Sequence, residues 1–110
     1  MKKITVSVQE KDHHDADGEP VYMPSLVTGY TIPGMPALAI TSDLMWHSKF
    51  TITHIPSGAS FGKLFYSINE ALKMAKKYLK GINWDKPREE IWKDSAAMEA
   101  IKALRVAESI

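Results

Sequence analysis

The residues that could do chemistry fall into four groups, and three of them dissolve on inspection. Gly58-Ala59-Ser60-Phe61-Gly62 spells G-x-S-x-G, the pattern that lifts a serine nucleophile onto a sharp strand-to-helix turn. That turn needs a strand before it, a helix after it and a histidine later in the chain. Here Pro56-Ser57-Gly58 reverses the chain just before the serine, the residues after it read as a strand, and no histidine follows His54. The pattern reads as a tight hairpin of small residues. Gly62-Lys63 fails as a phosphate loop, because Leu64 stands where a hydroxyl residue is required and the spacing back to Gly58 is one residue short.

The second group is Asp12, His13, His14, Asp15, Asp17 and Glu19, all capable of binding a metal. A calcium loop alternates acidic ligands before a fixed glycine. Placing Gly18 at that glycine puts His13 at the first ligand position and Pro24 at the bidentate glutamate, so the match breaks at both ends. The third group, His47 and His54 with Asp43 nearby, lacks a nucleophile, a second carboxylate or an oxyanion-binding glycine array. His54 shares its parity with Phe50 and Ile52, which predicts a buried histidine bonded to backbone. No catalytic residue, metal site or cofactor is assigned, and the chain reads as a non-enzyme.

The fourth group survives. Between residues 44 and 84 stand six lysines, Lys49, Lys63, Lys73, Lys76, Lys77 and Lys80, against Glu70 alone, in a chain whose formal net charge is only +1. Lys73, Lys76, Lys77 and Lys80 are linked by steps of three and four, so like charges stack on one helix face and repel unless an anion relieves them. A lysine face can simply keep a small protein in solution. A phosphate backbone is the other use, and the preceding hairpin adds to it: Lys49 with Thr51 and Thr53, and Lys63 between Phe61 and Phe65, would put stacking rings beside positive charge if that side of the strand faces out. Which side faces out is not readable from the sequence.

Elements must position those residues. Ile4, Val6 and Val8 alternate as a half-buried strand over Lys3–Val8. Residues 10–20 lack an apolar period and hold Asp17-Gly18, which predicts an exposed acidic loop with a tight turn. A second strand is expected over residues 21–28, interrupted at Pro24, which suggests an edge or a bulge. Tyr30 to Met35 reads as irregular, with Pro33-Gly34-Met35-Pro36 as turn punctuation. A short strand follows over Ala37–Thr41. Trp46, Phe50 and Ile52 then share one parity while Lys49, Thr51 and Thr53 share the other, so the next strand has an apolar face and a hydroxylated, basic one. Ala59–Tyr66 is its expected partner.

Ser67-Ile68-Asn69-Glu70 is a capping box and opens a helix that ends near Gly81. Ile68, Leu72, Ala75 and Leu79 form its apolar face, and the four lysines lie opposite. Asp85 and Pro87 open a second helix with Ile91, Met98, Ile101 and Leu104 on one side and Ala96, Ala100, Ala103 and Ala107 behind Trp92. Asp94-Ser95 could divide it into a short turn and a longer helix. Small residues permit close approach, so this last helix could also serve a dimer.

Length bounds the answer to one domain spanning residues 1–110. Apolar content of 45% and charged content of 25% are ordinary for a globular chain. No apolar run approaches a membrane span, and Ile4–Val8 runs directly into Gln9, Glu10, Lys11 and Asp12, so no signal peptide is read. The absence of cysteine fits a reducing compartment, and the expected location is cytoplasmic.

Trp46, the run Thr53-His54-Ile55-Pro56-Ser57-Gly58, the helix from Ser67 and the pair Asn83-Trp84 together resemble small uncharacterised bacterial and phage-borne proteins. These share a Trp-containing strand, a Thr-His-x-x-Ser-Gly turn, a further strand and an alanine-containing helix that ends near an Asp-Trp or Asn-Trp pair. The resemblance covers roughly the C-terminal half and implies no catalytic residue. In topology alone, strands followed by helix are similar to single-strand-binding coactivator-like folds. The expected architecture is α+β, an antiparallel sheet of four to five strands covered on one face by two C-terminal helices. The expected function is a nucleic-acid-binding module, with protein interaction or homodimerisation through the last helix as the alternative.

Overall fold

Hydrophobic alternation and turn chemistry produce an antiparallel sheet followed by helices. A computed structural model describes residues 1–14, 16–43 and 48–107, and for residues 10–14 the backbone alone. Trp46 and His47, Asp15, and the side chains of Asp12, His13 and His14 therefore lie outside the described residues. The elements are β1 (Lys3–His14), β2 (Pro20–Ile32), β3 (Met35–Ser42), β4 (Phe50–His54), β5 (Ala59–Ser60), α1 (Ile68–Tyr78), α2 (Arg88–Lys93) and α3 (Ser95–Val106). The strands pair in sequence order, each antiparallel to the next. The α+β architecture with a meandering sheet and C-terminal helices is thus the one expected, with five strands. No helix among the described residues is long and apolar enough to cross a membrane.

The sheet differs from expectation at its first hairpin. The acidic stretch is mostly strand: β1 continues through His14, with Lys11 opposite Tyr22 and a bulge before His13 opposite Val21. Ladder hydrogen bonds hold a two-stranded ribbon without an apolar period, and only the turn near Gly18, at φ 81°, is left. Nor is β2 interrupted at Pro24, which sits opposite Gln9 in an unbroken strand. There β2 pairs with β1 alone, since β3 joins it only from Gly29 onward, so the missing N–H meets an open edge as the edge reading required. Tyr30 to Ile32 extend the same strand, and the irregular segment shrinks to the Pro33-Gly34 turn.

Both sheet faces are covered, by different means. Leu38, Ile40 and Ile52 point to the helices and form the main core with Ala71, Ala75, Leu79, Ile101 and Leu104. The opposite face carries Ala39, Thr41, Thr51 and Thr53, all buried. The long β1–β2 ribbon curls over that face until the first strand meets the β4–β5 turn, where the Gln9 amide donates to the Gly58 carbonyl at 3.0 Å. Val6, Val8 and Ala39 make a small second core inside the curl. Gly29 permits the curl, because a Cβ there would stand 2.7 Å from Val6 Cγ2 and 3.3 Å from Thr41 Cγ2. The hydroxyl face read as an outer surface is therefore interior, and Thr41 and Thr53 satisfy each other at 2.9 Å.

The predicted second helix is divided at Asp94, the alternative its sequence allowed. Asp94 caps α3 by accepting from the amides of Ala96 and Ala97, while Lys86 donates to its other oxygen at 2.6 Å. That lysine bond first, and the helix amides with it, hold the Asp94 carboxyl below the usual carboxylate range. Three helices rather than two thus follow the sheet. Ile91, Ile101 and Leu104 are buried as expected, but Met98 is exposed and Ala97 takes a place in the core.

Candidate nucleic-acid interface

Helix α1 places the lysine group. Ser67 caps it, its hydroxyl accepting the Glu70 amide at 3.1 Å; this is the forward half of the expected box, and Glu70 Oε1 has no hydrogen-bond partner. Ala71, Met74, Ala75 and Leu79 face the core, so Met74 replaces Leu72 at the centre of the apolar stripe, and Ile68 and Leu72 are half-buried at its margins. Gly81, at φ 83°, lies beyond the helix end and turns the chain toward Trp84. Trp84 fixes the turn: its indole N–H donates to the Leu79 carbonyl at 2.9 Å.

Lys73, Lys76, Lys77 and Lys80 are all exposed, the first three on α1 as the helical spacing required and Lys80 just past the Leu79 C-cap, beyond the helix expected to carry it. Among the described residues none of the four forms an ion pair, and only Lys77 has a ring contact, with its ammonium 5.3 Å from the centre of Tyr78. They flank two hollows. Lys73 and Lys77 border one of about 290 Å³ with Ser67, Asn69, Glu70 and Tyr78, whereas Lys76 and Lys80 border one of about 590 Å³ beside the Pro33-Gly34 turn. Lys80 stands seven positions after Lys73, roughly 10 Å along the axis at 1.5 Å per residue. Lys49 lies with its ammonium 5.2 Å from the centre of the Tyr66 ring, one residue ahead of the Ser67 cap. It is half-buried.

Lys63 does not join them. Its ammonium donates to the Ala107 carbonyl at 2.5 Å and so closes the C-terminal end of α3. The neighbouring rings do not face outward either. Phe61 and Phe65 are 5% and 0% exposed, and Phe61 packs against Trp84 at 5.2 Å between ring centres. The expected strand over Ala59–Tyr66 is only Ala59–Ser60 with one further bridge, Phe65 to Phe50. Gly62, at φ 79°, turns the chain after the short strand, and both phenylalanines lie in the same core. The stacking part of the predicted interface is therefore absent, and its electrostatic part is concentrated on α1.

His54 is the buried, backbone-bonded histidine the parity predicted. Its Nε2 is 2.7 Å from the Trp84 carbonyl, which can only accept, so Nε2 carries the proton; Nδ1 then accepts from the Ser57 hydroxyl at 2.7 Å. Both ring nitrogens are committed to joining the β4–β5 turn to the segment after α1. Sequence reasoning missed a different group, Tyr22, Arg88, Trp92 and Arg105, because these residues come from three separate elements and share no period. An i,i+4 Arg-to-Trp step was its only visible signal. Comparison with protein-family models, with curated proteins and with solved structures finds no match for the chain.

Proposed function

We propose that this chain is a non-enzymatic nucleic-acid-binding module that grips the phosphate backbone through Lys73, Lys76, Lys77 and Lys80, with Lys49 at the helix entrance. The observation that carries this reading is the set of four exposed ammonium groups, three on one well-capped helix and the fourth just past its end, none of them ion-paired with a carboxylate among the described residues. Side chains that repel one another within about two turns gain from a ligand of closely spaced negative charge. With Phe61 and Phe65 in the core, the only rings beside these lysines among the described residues are Tyr66 and the half-buried Tyr78, so charge dominates the surface, which favours a sequence-tolerant grip on duplex over stacking on single strands.

The test is fluorescence anisotropy with duplex oligonucleotides across a salt series. Four phosphate contacts give a slope of log affinity against log salt of about −3.6, or on the order of a hundredfold loss between 50 and 200 mM. Replacing all four lysines by glutamate abolishes binding while leaving the unfolding midpoint near that of the parent. Absence of binding at low salt sinks the proposal. The dimer reading finds less support, because Ile101 and Leu104, the residues expected to carry it, are 5% and 0% exposed within the single chain.

A further inference from the structure

A second surface lies at the seam between the β4–β5 turn, α2 and the β1–β2 ribbon, and none of the α1 lysines contributes to it. Two hollows meet there, about 390 Å³ and about 120 Å³, and they share Ser57, Ser60 and Arg88 on their walls. Tyr22 borders the larger, and Trp92 and Arg105 border the smaller. The larger is within the ~300–1,000 Å³ range of ligand sites. Tyr22 and Trp92 are 53% and 58% exposed, an unusual state for two large rings beside one groove.

Charge selects the class of occupant. The linings include two arginines and no carboxylate. Arg105 uses Nε to bond the Phe61 carbonyl at 2.7 Å, which fixes the side chain while its terminal nitrogens make no hydrogen bond among the described residues. Arg88 lies with its guanidinium 4.2 Å from the centre of the Trp92 ring. That contact sets the guanidinium against the indole, and Tyr22 shares the larger hollow with it. A guanidinium backed by an indole, with a phenol ring nearby, is a stacking platform, and rings beside positive charge match a ligand that offers planar faces and phosphates in each repeat. An acidic peptide would satisfy the arginines and leave the rings unused.

We infer that this groove is a single-stranded nucleic-acid site, in which a base stacks on Arg88, Trp92 and Tyr22 while Arg105 meets a phosphate and the Ser57 and Ser60 hydroxyls border the path. It goes beyond the α1 grip and does not rest on it. The full chain and its variant with all four α1 lysines changed to glutamate are titrated with a single-stranded thymidine oligonucleotide, with binding followed by anisotropy and by the indole N–H resonance of Trp92. The oligonucleotide shifts that resonance in both proteins. Trp92→Ala and Arg88→Ala, both at exposed positions, each weaken single-strand binding by about tenfold, the effect of one stacked base, and leave duplex affinity within about twofold. Loss of duplex binding with the Trp92 shift retained would remove the α1 reading alone. The groove assignment is overturned if the Trp92 resonance does not move, if Trp92→Ala leaves single-strand affinity unchanged, or if a polyglutamate peptide binds the groove more tightly than the oligonucleotide.

Discussion

The β4–β5 hairpin and helix α1 are neighbours in the chain and draw on the same residue types, lysine, hydroxyl and aromatic, yet the fold uses them in opposite ways. In the hairpin most such groups are spent on structure, although the buried Thr51 hydroxyl has no hydrogen-bond partner among the described residues. Thr53 bonds Thr41, His54 and Ser57 tie the turn to Trp84, Lys63 closes α3, and Phe61 and Phe65 fill the core. In α1 the division is clean, with apolar residues inside and Lys73, Lys76 and Lys77 outside, continued past the helix end by Lys80, and none of the four forms an ion pair among the described residues. A helix with one packed face leaves its other face free. A short strand between two covering layers has no free face, so its polar residues are carried inside, where Thr53 finds a partner and Thr51 does not among the described residues.

That contrast can be broken by mutation, and the largest effect is expected in the hairpin. Phe65→Ala should cost ~3–5 kcal/mol in denaturant unfolding, as for a fully buried ring; a cost near zero would mean that the hairpin is surface after all. Next comes the curl that buries the hydroxyl face. Gly29→Ala should destabilise by ~1–3 kcal/mol through overpacking against Val6, and Val6→Ala in the same chain should recover part of that loss. A smaller effect tests how α1 is held: Ser67→Ala should remove about 1 kcal/mol by freeing the Glu70 amide, read from the shift of the unfolding midpoint. Smallest of all, Lys76→Ala should change stability by no more than ~0.5 kcal/mol. It should nonetheless reduce the salt slope of duplex binding by about 0.9. A large stability loss there would show that the lysine face is structural too.

How far these roles can be read without the fold depends on how local their causes are. The cap at Ser67, the exposure of the four lysines and the break at Asp94 come from hydrogen bonds and periods within a few residues, and each is visible in the sequence. His54 was also legible, since one strand period assigns it to the apolar face. The outward or inward direction of Phe61 and Phe65 was not, because alternation puts both rings on one side of the strand without saying which side the helices cover. Pro24 misled in part, because whether a missing N–H breaks a strand depends on whether a neighbour stands on that edge. The Tyr22, Arg88, Trp92 and Arg105 groove left almost no local trace, since it exists only where the ribbon comes round to α2.

By itself, then, the sequence determined the element types, their order, the caps and the lysine-bearing face, all of them set by interactions that reach three or four residues along the chain. Only the tertiary structure decided what the sheet does with its second face. The β1–β2 ribbon bends at Gly29 and brings Gln9 to Gly58, 49 positions away, burying threonines that alternation alone would leave in water. Such a contact is set by the packing of the whole chain, where the room left by one absent side chain decides between an open sheet and a curled one.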